Sequence, residues 1–263
     1  MRKCFTINSS RTTDEIKTYY QLFDLNYYQA IEIFYPYSYG EARVEEYTKD
    51  IKELLNHFKN IEIVMHLPHG IKNNLCDLEN YQKIITIMEN AIDYANKLGI
   101  KKLTLHLGIV DVFIDRNIYL DHINNCLIHL CNYASNYKMN LMIENMPGIS
   151  ELGYSPTEIL SIINRANQKN LKFILDTGHA NISRYPINEY IDLLKDYLIH
   201  LHFSDNSGLR DEHARLGSGI IDFYKVIKLL KEINYQELYC LEIIYKDVDD
   251  LFANAKSLDI YDK

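Results

Sequence analysis

The chain has 263 residues, 47% hydrophobic and 24% charged, with a formal net charge of −8. One domain of this length can bury a large core, and α/β barrels run to roughly 250 residues. The sequence has no apolar stretch of about 18 residues, which argues against a transmembrane helix, and MRKCFTINSS has no apolar core of signal-peptide length, so a cytosolic protein without membrane partners is expected. The acidic balance disfavours nucleic acid as a partner, because phosphate binding normally draws on a basic surface. Cys4, Cys76, Cys126, Cys131 and Cys240 form no CxxC pair and read as reduced structural thiols.

Strand-like and helix-like patterns alternate from one end to the other. Lys3 to Ile7 reads as a first strand, followed by a helix over 13–25 capped by Thr12 or Thr13. Ala30 to Phe34 is the second strand and 41–58 the second helix. IEIVMH (61–66) is the third strand, and the helix over 78–98 stops at Gly99, a C-terminal cap signal. KKLTLH (101–106) precedes a helix over 117–137. After NLMIE (140–144), Ser155-Pro156-Thr157-Glu158 has the form of a capping box with proline at the first helical position. KFILD (172–176), LIHLH (198–202) and LYCLE (238–242) are the last three strands, followed by helices over 187–195, 222–233 and 249–258. Eight strand–helix units favour a single-domain (β/α)8 barrel spanning 1–263. Alternation along a strand supports closure: Lys102, Thr104 and His106 would point into the barrel, and Leu103, Leu105 and Leu107 outward beneath the helices.

Six of these strands end on a metal-capable side chain: His66, His106, Glu144, Asp176, His202 and Glu242. In a parallel barrel the carboxyl ends open onto one face, where active sites sit. Three loop residues join them: His179, three positions past Asp176, and Asp211 and His213 after the seventh strand. Imidazole and carboxylate ligands without thiolate suit zinc or manganese, with iron also compatible. Five histidines and four carboxylates are too many for one ion and about right for two or three. His69 and Arg215 are candidate substrate contacts. His57, His122 and His129 lie in helical patterns and are assigned to surface or packing. His200 is assigned to the barrel interior, hydrogen-bonded to a neighbour, and Gly217 and Gly219 to turns.

The motifs HLPHG (66–70), LHLG (105–108), IENMPGISELG (143–153), LDTGHA (175–180), HFSDNSG (202–208), DEHARLGSG (211–219) and LE (241–242) carry a resemblance. The chain resembles the endonuclease IV and xylose-isomerase-like TIM barrels, with these motifs in the family's order. The resemblance to the endonuclease IV branch implies three ions. His66, His106 and Glu144 would hold one. Glu144 would bridge to a second completed by Asp176, His202 and Glu242, and His179, Asp211 and His213 would hold the third. The epimerase and isomerase branches imply one ion, held by residues matching Glu144, Asp176, His202 and Glu242, with Glu144 and Glu242 also moving protons. The chain departs from DNA-repair members where His69 replaces their common tyrosine, and the loop after Glu144 is one residue shorter.

Two chemistries follow. In the first, close divalent ions lower the pKa of a bridging water and steady the attacking and leaving oxygens of a phosphoester. The complete nine-residue set favours this reading, with abasic DNA disfavoured as the substrate. In the second, one ion polarises a sugar or sugar-phosphate carbonyl while Glu144 and Glu242 transfer the proton. A barrel serving only as a binding module is disfavoured, because so many charged groups converge on one rim. The expectation is a metal-dependent phosphoester hydrolase acting on a small phosphorylated substrate, with the sugar isomerase or epimerase as the alternative.

Overall fold

Side-chain alternation along the strands decides what the barrel encloses. In a computed structural model that describes residues 1–263, eight parallel strands pair in chain order and close on themselves. They are β1 (Arg2–Ile7), β2 (Ala30–Phe34), β3 (Glu62–His66), β4 (Lys102–Leu105), β5 (Asn140–Glu144), β6 (Leu171–Asp176), β7 (Leu198–Phe203) and β8 (Leu238–Leu241). Inside, Cys4, Ala30, Val64, Met142, Ile174, Leu238 and Cys240 form a small apolar plug. Two residues further along the same strands come Thr6, Glu32, His66, Glu144, Asp176 and Glu242. One step of the period-2 repeat therefore carries the interior from hydrocarbon to polar and charged groups, most of them candidate ligands. The opposite parity, including Leu103, Leu105 and Leu107, is fully buried in the main core between barrel and helices.

The helices are α1 (Thr13–Thr18), α2 (Tyr20–Asp24), α3 (Glu41–His57), α4 (Tyr81–Lys97), α5 (Arg116–Ser135), α6 (Pro156–Ala166), α7 (Thr177–Ser183), α8 (Ile187–Leu194), α9 (Phe223–Glu232) and α10 (Val248–Tyr261). No helix is long and apolar enough to cross a membrane. The cysteines are buried free thiols.

Several boundaries differ from the sequence expectation. The helix expected over 13–25 breaks at Tyr19. There the N–H of Tyr19 bonds Ile16 O at 3.1 Å and Leu22 N bonds Tyr19 O at 3.0 Å, the tighter i→i−3 pattern. Tyr19 itself is buried edge-on against Phe5 and Tyr245. The cap of α1 is Thr12, in a reciprocal box with Glu15. The box expected at 155–158 is half formed. Ser155 Oγ accepts from Glu158 N at 3.2 Å, but the Glu158 carboxylate turns to Gly153 N at 2.6 Å and to Arg116. Asp77 delays α4 to Tyr81 by accepting from the backbone of Glu79 and Asn80 at 3.0 and 2.9 Å. The seven-residue α7 was not anticipated. It starts directly at the end of β6, with Asp176 Oδ1 capping His179 N at 2.6 Å, so His179 lies on a helix rather than a loop.

Because Leu105 is fully buried in the outer core while Ile244 is 74% exposed, truncation should separate them. Leu105→Ala should cost about 2–5 kcal/mol in urea unfolding, and Ile244→Ala no more than about 0.5 kcal/mol. Equal midpoints for the two variants would contradict this packing.

Candidate metal centre

All nine residues named from the sequence converge at the carboxyl end of the barrel. They form three groups, each with potential ligand atoms within 4.8 Å of one another: His66, His106 and Glu144; Glu144, Asp176, His202 and Glu242; and His179, Asp211 and His213. Glu144 belongs to two groups. Its Oε2 lies 3.0 Å from His106 Nε2 and 3.6 Å from His66 Nε2, while Oε1 lies 3.1 Å from His202 Nδ1 and 3.4 Å from His179 Nδ1.

Four of the histidines have one ring nitrogen tied to an acceptor outside the centre. Nδ1 of His66 meets Leu67 O at 2.8 Å, Nδ1 of His179 meets Asn145 O at 2.9 Å, and Nδ1 of His213 meets Glu242 O at 3.0 Å. Nε2 of His202 meets Glu32 Oε2 at 2.8 Å. A carbonyl or carboxylate oxygen only accepts, so the facing nitrogen carries the proton and the other nitrogen is turned to the centre. This is how ligating histidines are usually oriented. The inward nitrogens then face acceptors: His202 Nδ1 lies 2.9 Å from Glu242 Oε2, and the Nε2 atoms of His179 and His213 lie 3.2 and 2.8 Å from Asp211 Oδ2.

The electrostatics follow from burial and like charge. Burial opposes ionisation of Glu144, but His202 and His106 outweigh it and hold its carboxyl well below the usual range. Glu32, fully buried beneath, is held low in the same way by His202 and His200. Asp176 behaves oppositely. Burial, with repulsion from Glu144 and Glu242 that His179 only partly offsets, pushes it up to about 6. Burial disfavours the His202 imidazolium, yet Glu242, Glu32 and Glu144 raise its pKa well above the ordinary value. Likewise Asp211 and Glu242 overcome burial to raise His213 to about 10. Asp176 Oδ2 is buried and has no hydrogen-bond partner. An orphaned carboxylate oxygen, inward-facing imidazole nitrogens and a donor set of nitrogen and oxygen together fit divalent ions.

A cleft of about 240 Å³ opens over these groups, and His69, Asn74, Ile109, Pro147 and Glu151 contribute to its walls. A second hollow of about 370 Å³ is also walled by His213 and Glu242 and extends past Phe34 to Arg11. His69 lines the cleft, its ring centroid 4.6 Å from that of His66 and 4.7 Å from that of His106. Burial and the charges of His66 and His106 lower its pKa to about 2, so it offers a neutral ring. Arg215 is not on the cleft walls. Its half-exposed guanidinium pairs with Asp250 near the start of α10. His200 fills the barrel interior, with Nε2 2.8 Å from Glu32.

Three supporting residues went unread in the sequence. Asn145 clamps the end of β6, accepting from Asp176 N at 2.7 Å and donating to Asp176 O at 2.9 Å. Asp205 accepts from Gly217 N and Gly219 N, both at 2.9 Å, and so shapes the loop that carries Asp211 and His213. Gly219 is required there, since a Cβ would sit 2.3 Å from Asn206 O. Glu32 had a readable signal, a single acidic residue in the apolar strand AIEIF.

The chain is 30% identical over 211 residues to a probable endonuclease 4 of Mycoplasmopsis pulmonis, covering 74% of this chain and 72% of that one. It is 23% identical over 235 residues to fructoselysine 3-epimerase of Shigella flexneri, covering 86% and 85%. The crystal structure of a D-tagatose 3-epimerase-like protein superposes with a TM-score of 0.82 at 25% identity, covering 99% of this chain and 97% of that one. Residues 24–261 match the family described as xylose isomerase-like TIM barrel, and the closed barrel agrees: the chain belongs to that family.

Proposed function

We propose that this protein is a divalent-metal-dependent hydrolase of a small phosphoester, with a multinuclear centre held by the nine converging residues. The observation that carries the reading is the third group, His179, Asp211 and His213. It is complete in itself and shares no residue with the other two. Bound ions, zinc or manganese by the donor set, would polarise the phosphoryl oxygens, acidify an attacking water and offset charge on the leaving oxygen. Glu144 would hold two ions with its two oxygens, because those oxygens face different groups. Asp176 and Glu242 would complete the deep site, and His69 would contact substrate as a neutral hydrogen-bonding ring. A cleft of about 240 Å³ and a net charge of −8 favour a small substrate over duplex DNA.

A second reading is a single-ion sugar or sugar-phosphate epimerase. The likeness in fold to the D-tagatose 3-epimerase-like protein favours it. So does the placement of Glu144 and Glu242 around one imidazole nitrogen of His202, at 3.1 and 2.9 Å. In that case the two carboxylates would relay a proton across one substrate carbon.

Metal content separates the two. The wild-type chain purified without chelator should hold more than one ion by elemental analysis. Replacing Asp211 and His213 together with alanine should remove one ion and lower phosphodiester cleavage by roughly a hundredfold or more. One ion per wild-type chain, accompanied by ketose epimer exchange, would establish the epimerase instead. Glu144→Gln should be the most damaging single change, lowering turnover by about 10²–10³ while leaving the thermal midpoint of the chelator-treated protein within a few degrees. Wild-type turnover in that variant would remove Glu144 from the mechanism.

Proton release offers a check independent of substrate. With His202 and His213 raised above their ordinary pKa, both carry a second proton, on the inward nitrogen, at pH 7 when no ion is bound, and an ion must displace it. Affinity should therefore fall as pH is lowered from 8 to 6. Calorimetric heats of zinc binding should differ between buffers of different ionisation enthalpy. Identical heats in both buffers would argue against these histidines as ligands.

A further inference from the structure

We infer that Glu32 is the positioning residue that makes His202 a ligand, by holding the proton on the ring nitrogen that points away from the centre; this rests on the metal-centre reading above. Glu32 lies on β2, fully buried, and pairs in register with Val64, which places it one step of the pleat below His66. Its Oε2 is 2.8 Å from Nε2 of both His200 and His202, and its Oε1 accepts from Thr104 Oγ1 at 2.7 Å. An ionised carboxylate offers only acceptors, so His202 must present Nε2–H downward. Nδ1 is thereby turned toward Glu144 Oε1 at 3.1 Å, Glu242 Oε2 at 2.9 Å and Asp176 Oδ2 at 3.9 Å. The corresponding anchors of His66, His179 and His213 are backbone carbonyls, which no substitution removes. Among these four histidines, His202 alone depends on a side chain.

Glu32, His200, His202 and Cys240 are close enough to suggest an ion site of their own. The geometry argues against it. Both Glu32 oxygens are engaged at hydrogen-bond distance by three donors, and His202 would have to ligate through both nitrogens. The group reads as the support beneath the centre, of the kind whose loss typically costs 10- to 100-fold in metal affinity.

Two substitutions of similar volume separate orientation from packing. Glu32→Met fills the space but accepts nothing. Glu32→Gln can accept from both histidines through its amide oxygen while its amide nitrogen donates to Thr104. Zinc affinity, measured by competition with a chromophoric chelator, should fall about 10- to 100-fold at one site in Glu32→Met, with the remaining sites unchanged. Glu32→Gln should restore that site to within a few-fold of wild type. Equal affinity in Glu32→Met and wild type, or no recovery in Glu32→Gln, would overturn the inference. Should Glu32→Met fail to fold, ¹⁵N spectra of the zinc-loaded wild-type chain decide the question. The inference requires a proton on Nε2 of His202, and a proton on Nδ1 would overturn it. Wild-type protein that binds no zinc at all would instead overturn the metal-centre reading, and this inference with it.

Discussion

Buried negative charge is the constraint on which this structure turns. Glu144, Asp176 and Glu242 surround one imidazole nitrogen of His202, and Glu32 lies against the other. Removed from water, such carboxylates must be neutralised by protons or held by cations. Among the protein's own groups the balance is uneven. His202 and His106 serve Glu144, while Asp176 is left with a raised pKa and an unpartnered oxygen. A centre built this way is costly to leave empty of positive charge. That cost is the physical reason to read it as a place for divalent ions and not as a set of polar contacts.

The surrounding structure serves to hold that charge still. Asn145 ties the ends of β5 and β6 together and also supplies the carbonyl that orients His179. Asp205 gathers the amides of Gly217, Gly219 and Ile221, which bends the loop after β7 back over the barrel. His213 reaches its position with a backbone φ of +42°, in the left-handed region that non-glycine residues seldom occupy. None of these residues needs to touch a substrate. Together they fix where His179, on its short helix, meets Asp211 and His213 of the loop.

The division of labour between strands and loops bears on how one barrel supports different chemistries. The deep group, Glu144, Asp176, His202 and Glu242, is delivered by strand ends whose direction is set by the pleat. The group of His179, Asp211 and His213 comes from a short helix and a loop. Those elements can change without disturbing the plug of Cys4, Ala30 and Val64 below. Function within such a fold is therefore argued from the site, and here from the loop-borne residues in particular.

Much of this was legible in the chain itself. Eight strand–helix alternations and six strands ending on His, Asp or Glu are local patterns, and period-2 alternation converts them directly into one interior face. The seven-residue α7 was not legible. Asp176 both ends a strand and caps a helix, and its spacing to His179 reads equally well as a loop. The partner of Arg215 was not legible either, because charge alone does not say which partner claims it, and Asp250 lies 35 residues away. The same holds for the proton on His202, which depends on Glu32 at a separation of 170 residues. What the sequence by itself determined was the barrel, its polarity and the residues delivered to its open end, because these follow from repeats a few residues long. What only the tertiary structure decided was which nitrogen of each histidine faces the centre, which carboxylate is left without a partner, and which cations are already paired. Those depend on contacts between strands far apart in the chain, and no local pattern encodes them.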